Sequence, residues 1–212
     1  QTLGIPAIVA SEVARSVTLE MEMKISGSQM ADFLTEQFKP VLKDIRPSVE
    51  YACAGGGLVF KPYIYKDGIS TEIIQANAFY PVAFNNAQKI TGAYFLYRHW
   101  VGKMVYSRLE KHELLGTHYK ITNKAYVSMV DDALGKECEL SEVEEWAEIE
   151  PEVNLENVES PLFAYFKIPI GNTVDMRSPL GVSVYARGVS LIAEADKQFQ
   201  RLMWEYEGGE LA

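Results

Sequence analysis

The chain has 212 residues, 48% of them hydrophobic and 23% charged, which excludes the disordered class and allows one large domain or two small ones. A formal charge of −9 opposes nonspecific attraction to phosphate and counts against tight binding of nucleic acid, because duplex affinity comes largely from Lys and Arg displacing counterions; a surface that faces DNA without gripping it stays open. Two cysteines, Cys53 and Cys138, make no disulfide framework, and no apolar run approaches the roughly 18 to 20 residues that a bilayer span requires.

The opening Gln1-Thr2-Leu3-Gly4 lacks the basic stretch and small-residue cleavage site of a signal peptide, and no initiator Met is present, so the expectation is an excised fragment from a reducing cytosol. Ile5, Ile8, Val9, Val13 and Val17 recur at helical spacing, with Pro6 where a missing N–H is harmless, and predict a helix over 5–18. Residues 19–25 then alternate, Leu19, Met21, Met23 and Ile25 against Glu20, Glu22 and Lys24, which predicts a strand ending at Ser26-Gly27. Ser28 reads as the N-cap of a second helix with Phe33, Leu34, Phe38, Val41 and Leu42 on one face. Pro40 and Pro47 should kink or divide it, giving a further helix over 47–54 that Gly55-Gly56-Gly57 stops.

Beyond the glycines the pattern turns to strands. Residues 58–65 and 69–76 flank Lys66-Asp67-Gly68, a hairpin signal, and 92–101, 104–115 and 117–128 follow with Gly102 and Gly116 as turn points. Connections this short leave no room for crossover helices, so the reading is an antiparallel meander in an α+β fold. Residues 137–159 hold ten Glu and neither Lys nor Arg. They read as a solvated acidic connection with a short helix over 141–147, binding of a cation or basic partner being the alternative. Residues 162–170 predict a buried strand ended by Gly171-Asn172. A long C-terminal helix closes the reading, with Val182, Tyr185, Val189, Ile192, Phe199, Leu202, Met203 and Tyr206 on one face and Gly208-Gly209 as its stop.

The residues that could carry chemistry do not form a known pattern. Gly55-Gly56-Gly57 follows a helix and precedes a strand, the reverse of a phosphate-binding turn, and lacks the following Lys-Ser or Lys-Thr. His99, His112 and His118 sit in the meander without metal-ligand spacing, and His112 and Glu113 would point to opposite faces; polar sheet histidines are the favoured reading over a metal site. Cys53 has no nearby His to activate it and reads as a core residue. Asp131-Asp132 reads as an acidic turn. No catalytic residue, cofactor-binding residue or metal ligand is assigned.

Three segments in order carry a resemblance. The first is Ile5-Pro-Ala-Ile-Val-Ala-Ser-Glu-Val-Ala-Arg leading to Glu20-Met-Glu-Met. The second runs from Glu50-Tyr-Ala-Cys-Ala-Gly-Gly-Gly-Leu-Val-Phe-Lys-Pro-Tyr through Ile74-Gln-Ala-Asn-Ala-Phe-Tyr-Pro-Val to Ile90-Thr-Gly-Ala. The third comprises Pro161-Leu-Phe-Ala-Tyr-Phe-Lys, Ser178-Pro-Leu-Gly-Val-Ser-Val-Tyr-Ala, and Ile192-Ala-Glu-Ala-Asp-Lys-Gln-Phe-Gln-Arg-Leu-Met-Trp-Glu-Tyr-Glu-Gly. Together they resemble the portal, or "phage capsid", proteins of phages and prophages of Gram-positive bacteria.

The resemblance implies a structural subunit without enzymatic activity or cofactor, in a ring, typically of twelve copies, at one capsid vertex. DNA would pass through that ring during packaging and ejection without specific binding. The other partners implied are the large terminase, capsid or scaffold protein and a head-tail adaptor, with no membrane; the location would be the virion, and the host cytoplasm during assembly. Residues 1–177 would be a wing-like domain and 178–212 the start of a stem-like helix, in a fragment that ends before the clip, tunnel loop and crown. Tyr185, Val189, Ile192, Phe199, Leu202, Met203 and Tyr206 become candidate subunit contacts, unless that face is satisfied within the chain. Competing readings are a minor head-assembly or adaptor protein, and a hydrolase with unrecognised carboxylates.

Overall fold

In a computed structural model, residues 2–65 and 68–209 are described. The elements run α1 (Ile5–Thr18), α2 (Ala31–Lys43), α3 (Ile45–Gly55), β1 (Gly57–Tyr65), β2 (Gly68–Gln75), β3 (Phe79–Phe84), β4 (Ile90–Val101), β5 (Met104–Leu115), β6 (His118–Ser128), β7 (Lys136–Cys138), β8 (Glu152–Leu155), β9 (Ala164–Lys167) and α4 (Val189–Gly209). Short 3₁₀ turns sit between several of them. The protein is α+β, with helices first, antiparallel sheet between and a long helix last. Two compact units divide it: one takes 1–75 and 165–212, the other 76–164.

The first unit joins the helices to a three-stranded sheet in the order β2-β1-β9. Its core is Ala10 and Ala14 of α1, Ile45, Val49, Ala52 and Cys53 of α3, Leu58 of β1 and Ile168. Small side chains at Ala10, Ala14 and Ala52 let α1 and α3 approach closely, and each is almost fully buried. The division between α2 and α3 falls at Asp44: Pro40 stays inside α2 and Pro47 lies in the first turn of α3, where its missing N–H breaks no intrahelical bond. Gly56 ends α3 in the left-handed region at φ 91°, its N–H donating to the Ala52 carbonyl. A Cβ there would stand 2.5 Å from the Gly181 carbonyl oxygen, so this glycine answers both a backbone and a space requirement. The β1–β2 register runs Leu58↔Gln75 to Tyr65↔Gly68, as the hairpin reading required; Lys66 and Asp67 of its turn lie outside the described residues.

The second unit is the meander β3-β4-β5-β6-β7, with β8 also paired to β6. Gly102 (φ 61°) and Gly116 (φ 67°) occupy the first central position of the two-residue loops β4–β5 and β5–β6, where only glycine takes positive φ without strain. One sheet face is apolar at the β3–β4 end: the rings of Phe79, Phe95 and Phe163 meet at centroid distances of 5.4 to 6.0 Å.

Five expectations need correction. Residues 19–25 join no ladder among the described residues, since alternation makes a strand only where an edge receives it. Ser28 does not cap α2: its hydroxyl accepts from Met30 N–H in a turn, and the helix begins at Ala31. The acidic stretch keeps its ten Glu exposed, but in place of one helix over 141–147 it holds two 3₁₀ turns, Leu140–Glu142 and Glu144–Trp146, and it is more than a connection. Its apolar residues reach inward, Val143 and Trp146 being buried against Ala125, while β7 and β8 add to one edge of β6. Of 162–170 only β9 forms a strand, and α4 begins at Val189 instead of Val182. The preceding residues are held in a turn by backbone: Val184 N–H donates to the Cys53 carbonyl, and Gly181 lies against Gly56.

Candidate functional site

The densest polar chemistry lies inside the second unit. Period two sends Arg108, Glu110 and His112 of β5 to the same face, and the β6 register sets Asn123 opposite Glu110 and Tyr119 opposite Leu114. All five polar residues are buried. Arg108 Nη1 donates to Glu110 Oε2 at 2.7 Å and to Asn123 Oδ1 at 2.8 Å. His112 Nε2 lies 2.7 Å from Glu110 Oε1, and His112 Nδ1 lies 2.7 Å from the Tyr119 hydroxyl. Tyr119 in turn accepts from Leu162 N–H at 3.2 Å, and Asn123 Nδ2 donates to the Glu150 carbonyl at 3.0 Å.

With Glu110 ionised and His112 neutral, the His112 and Tyr119 protons each have an acceptor. An ionised Glu110 can only accept, so His112 Nε2 donates to it. A neutral imidazole then leaves Nδ1 as acceptor, and Tyr119, already accepting from Leu162, donates its hydroxyl proton there. One cation and one anion remain, Arg108 and Glu110, and they face each other. The guanidinium also lies 4.1 Å over the Tyr97 ring and 5.9 Å from Trp146, which accounts for the aromatic residues around a buried charge. Arg108 Nε alone, among buried side-chain nitrogen and oxygen atoms of the described residues, has no hydrogen-bond partner.

A carboxylate, an imidazole and a hydroxyl in line have the composition of a nucleophilic triad. The chemistry does not follow. Tyr119 is 0% exposed, His112 3% and Phe95, edge-on to the imidazole, 0%, so no substrate reaches the hydroxyl. Burial also pushes the Tyr119 phenol far above its usual value, the opposite of an activated nucleophile. The array ties β5, β6 and the 150–162 connection together.

No protein-family model matches the chain, and no curated protein matches it. Its reading therefore rests on residues. Among the described residues no group of three His, Cys, Asp or Glu could hold a metal ion. His99 and His118 sit on the surface beside Glu145 and Glu156, at 3.8 and 2.8 Å. Cys53 is buried, and burial, with Glu50 adding, raises its thiol above the usual range. Asp131 is exposed and lies 3.5 Å from Arg98. The outer face of the second sheet carries a cavity of about 530 Å³ among Tyr80, Tyr94, Lys111, Lys124 and Tyr126, but both lysines are engaged, with Glu113 at 2.7 Å and Glu137 at 3.1 Å.

The candidate contact residues of the last helix separate into three groups. Tyr185 precedes α4 and packs on the core of the first unit. Ile192, Phe199 and Met203 are half-buried along α4. Val189, Leu202 and Tyr206 are exposed, at 51%, 48% and 67%. Leu191 and Trp204, both 76% exposed, stand outside the candidate contacts although they add more apolar surface than Val189. The Leu191, Leu202 and Tyr206 positions fall within about 60° of one another around a 3.6-residue helix, with the exposed Gln198 between the two leucines on the same side. The buried array escapes a comparison of sequence neighbours, because His112 meets Glu110, two residues away on the same face, and not Glu113.

Proposed function

We propose that the chain is a structural subunit of the portal ring of a tailed bacteriophage, the assembly at the capsid vertex through which DNA is packaged and ejected and to which the tail attaches. The three ordered segments spanning residues 5–208 support this reading at the level of sequence. The observation that carries it in the structure is α4. This 21-residue helix leaves Leu191, Leu202 and Tyr206 exposed on one side, apolar side chains that water penalises in an isolated chain and that a neighbouring subunit would cover.

The charge of −9 suits a conduit, since each basic contact to phosphate would add affinity and hence friction to a polymer in transit. The sealed Glu110–His112–Tyr119 array fits a scaffold better than a hydrolase. No described helix is long and apolar enough to cross a membrane. In this reading the partners are further copies of the chain, the large terminase, capsid or scaffold protein and a head-tail adaptor, and the setting is the virion. Electron microscopy of the natural full-length protein tests it: closed rings of one defined copy number are expected, and a monomer at high concentration overturns the proposal.

A further inference from the structure

Residues 19–25 have the alternation of a strand and none of its bonds. Residues 20–27 make no hydrogen bond or ion pair among the described residues; Leu19 is 69% and Met21 41% exposed, and Met23 and Ile25 are half-buried. A run with this pattern specifies one apolar face, and it gains its backbone bonds only by joining a sheet edge.

The same unit has such an edge. Strand β2 is the outer strand of β2-β1-β9, and between it and α2 lies a groove of about 440 Å³ walled by Gln37, Pro40 and Val41 of the helix and Ile69, Thr71 and Ile73 of the strand. Ile69 turns its N–H away from β1, since it donates to Gln37 Oε1 at 3.0 Å. The two-residue period turns the N–H and C=O of Thr71 and Ile73 the same way, into the groove. Pro62, opposite Thr71, agrees with this, because a proline fits only where β1 owes no N–H to β2. Ile69, Thr71, Ile73 and Gln75 face outward over a stretch as long as 19–25, with the Ile69 N–H engaged by Gln37, and the exposed Pro40 with the half-buried Val41 and Ile73 offers apolar surface to Leu19 and Met21. Glu20 and Glu22 would then point away from Glu36 and Asp44 at the groove.

We propose that the β2 edge accepts residues 19–25 of a second copy of this chain as an added strand. Donor and acceptor are different surfaces of one polypeptide, so the contact is head-to-tail and propagates until a ring closes or a filament grows. It rests on the strand pattern and the outward backbone groups of Thr71 and Ile73, not on the portal reading.

Proline variants separate the two surfaces in the 212-residue chain. Thr71→Pro removes an outward N–H without touching the β1 ladder, and Met23→Pro spoils the donor. Sedimentation velocity should show concentration-dependent association of the parent, weakened at least tenfold in each variant alone. An equimolar mixture should form one-to-one heterodimers and stop there, since each variant retains the surface the other lacks. Variants that associate like the parent, or a mixture that stays monomeric while both melt cooperatively, overturn the proposal. Should Thr71→Pro fail to fold, hydrogen exchange on the parent decides: slowing of amides within 20–25 at high concentration only is expected, and equal rates at high and low concentration refute it.

Discussion

Removing the Glu110 carboxylate leaves the Arg108 guanidinium without its counter-charge in a site where the two residues are only 8% and 7% exposed. Loss of one partner of a buried ion pair costs about 3–5 kcal/mol, because the survivor stays desolvated and unpaired. Glu110→Ala should therefore destabilise the second unit by that amount, and Arg108→Ala by a similar amount. The double variant should cost at least about 2 kcal/mol less than the sum, as neither charge is then stranded. It does not return to the parent value. His112 Nε2 loses its acceptor and Asn123 Oδ1 a donor, and each buried orphan costs about 1–3 kcal/mol.

Urea unfolding followed by tryptophan emission reads this unit. Trp146 is 7% exposed, whereas Trp100 and Trp204 are 58% and 76% exposed and already emit as solvated indoles. The blue component thus reports Trp146, 5.9 Å from the Arg108 guanidinium. Strictly additive costs, or a Glu110→Ala cost below about 1 kcal/mol, would refute the idea that Arg108 and Glu110 hold the array as a pair.

Three further outcomes follow from particular groups. Gly56→Ala meets both a φ of 91° and the Gly181 carbonyl, so denaturant unfolding of the first unit should show a loss above about 2 kcal/mol, against near-neutrality for Gly188→Ala, which has open space. With a thiol reagent at neutral pH, Cys138, half-buried, should react well before Cys53, which is 1% exposed; equal rates would contradict the packing of α3. Tyr119 has a folded-state pKa raised by burial, so its phenol contributes stability that is intact below the unfolded value of about 10 and is lost as pH rises beyond it. Tyr119→Phe should be less stable at neutral pH but show a shallower decline in midpoint above pH 10; an unchanged alkaline slope would count against the burial of the phenol.

The turns were legible because their chemistry is local. Gly56, Gly102 and Gly116 each end or reverse an element where positive φ is needed, and each was readable as a stop or a turn in the chain. Strand β3 was not read: Pro81 interrupts Phe79–Phe84 and the register shifts beside it, so no run of alternation survives. Residues 19–25 failed the other way, with a clear alternation and no ladder joined among the described residues. The acidic stretch misled because ten Glu dominate its composition, while Val143 and Trp146, the residues that fix its place, are two among twenty-three. The buried array could have been found by counting in twos along β5. Its closure through Asn123 and Tyr119 depended on a register that only the paired strands set. Along α4 the helix was readable but not which residues stay exposed, since burial of Ile192 and Phe199 is a tertiary outcome.

Native mass spectrometry of the natural full-length protein, alongside the variant Leu191→Glu/Leu202→Glu, tests the assembly role most directly. The account predicts a single closed oligomer for the parent and its loss in the variant, with the melting of the second unit unchanged. A parent that stays monomeric at high concentration, or a variant that assembles as the parent does, would contradict it.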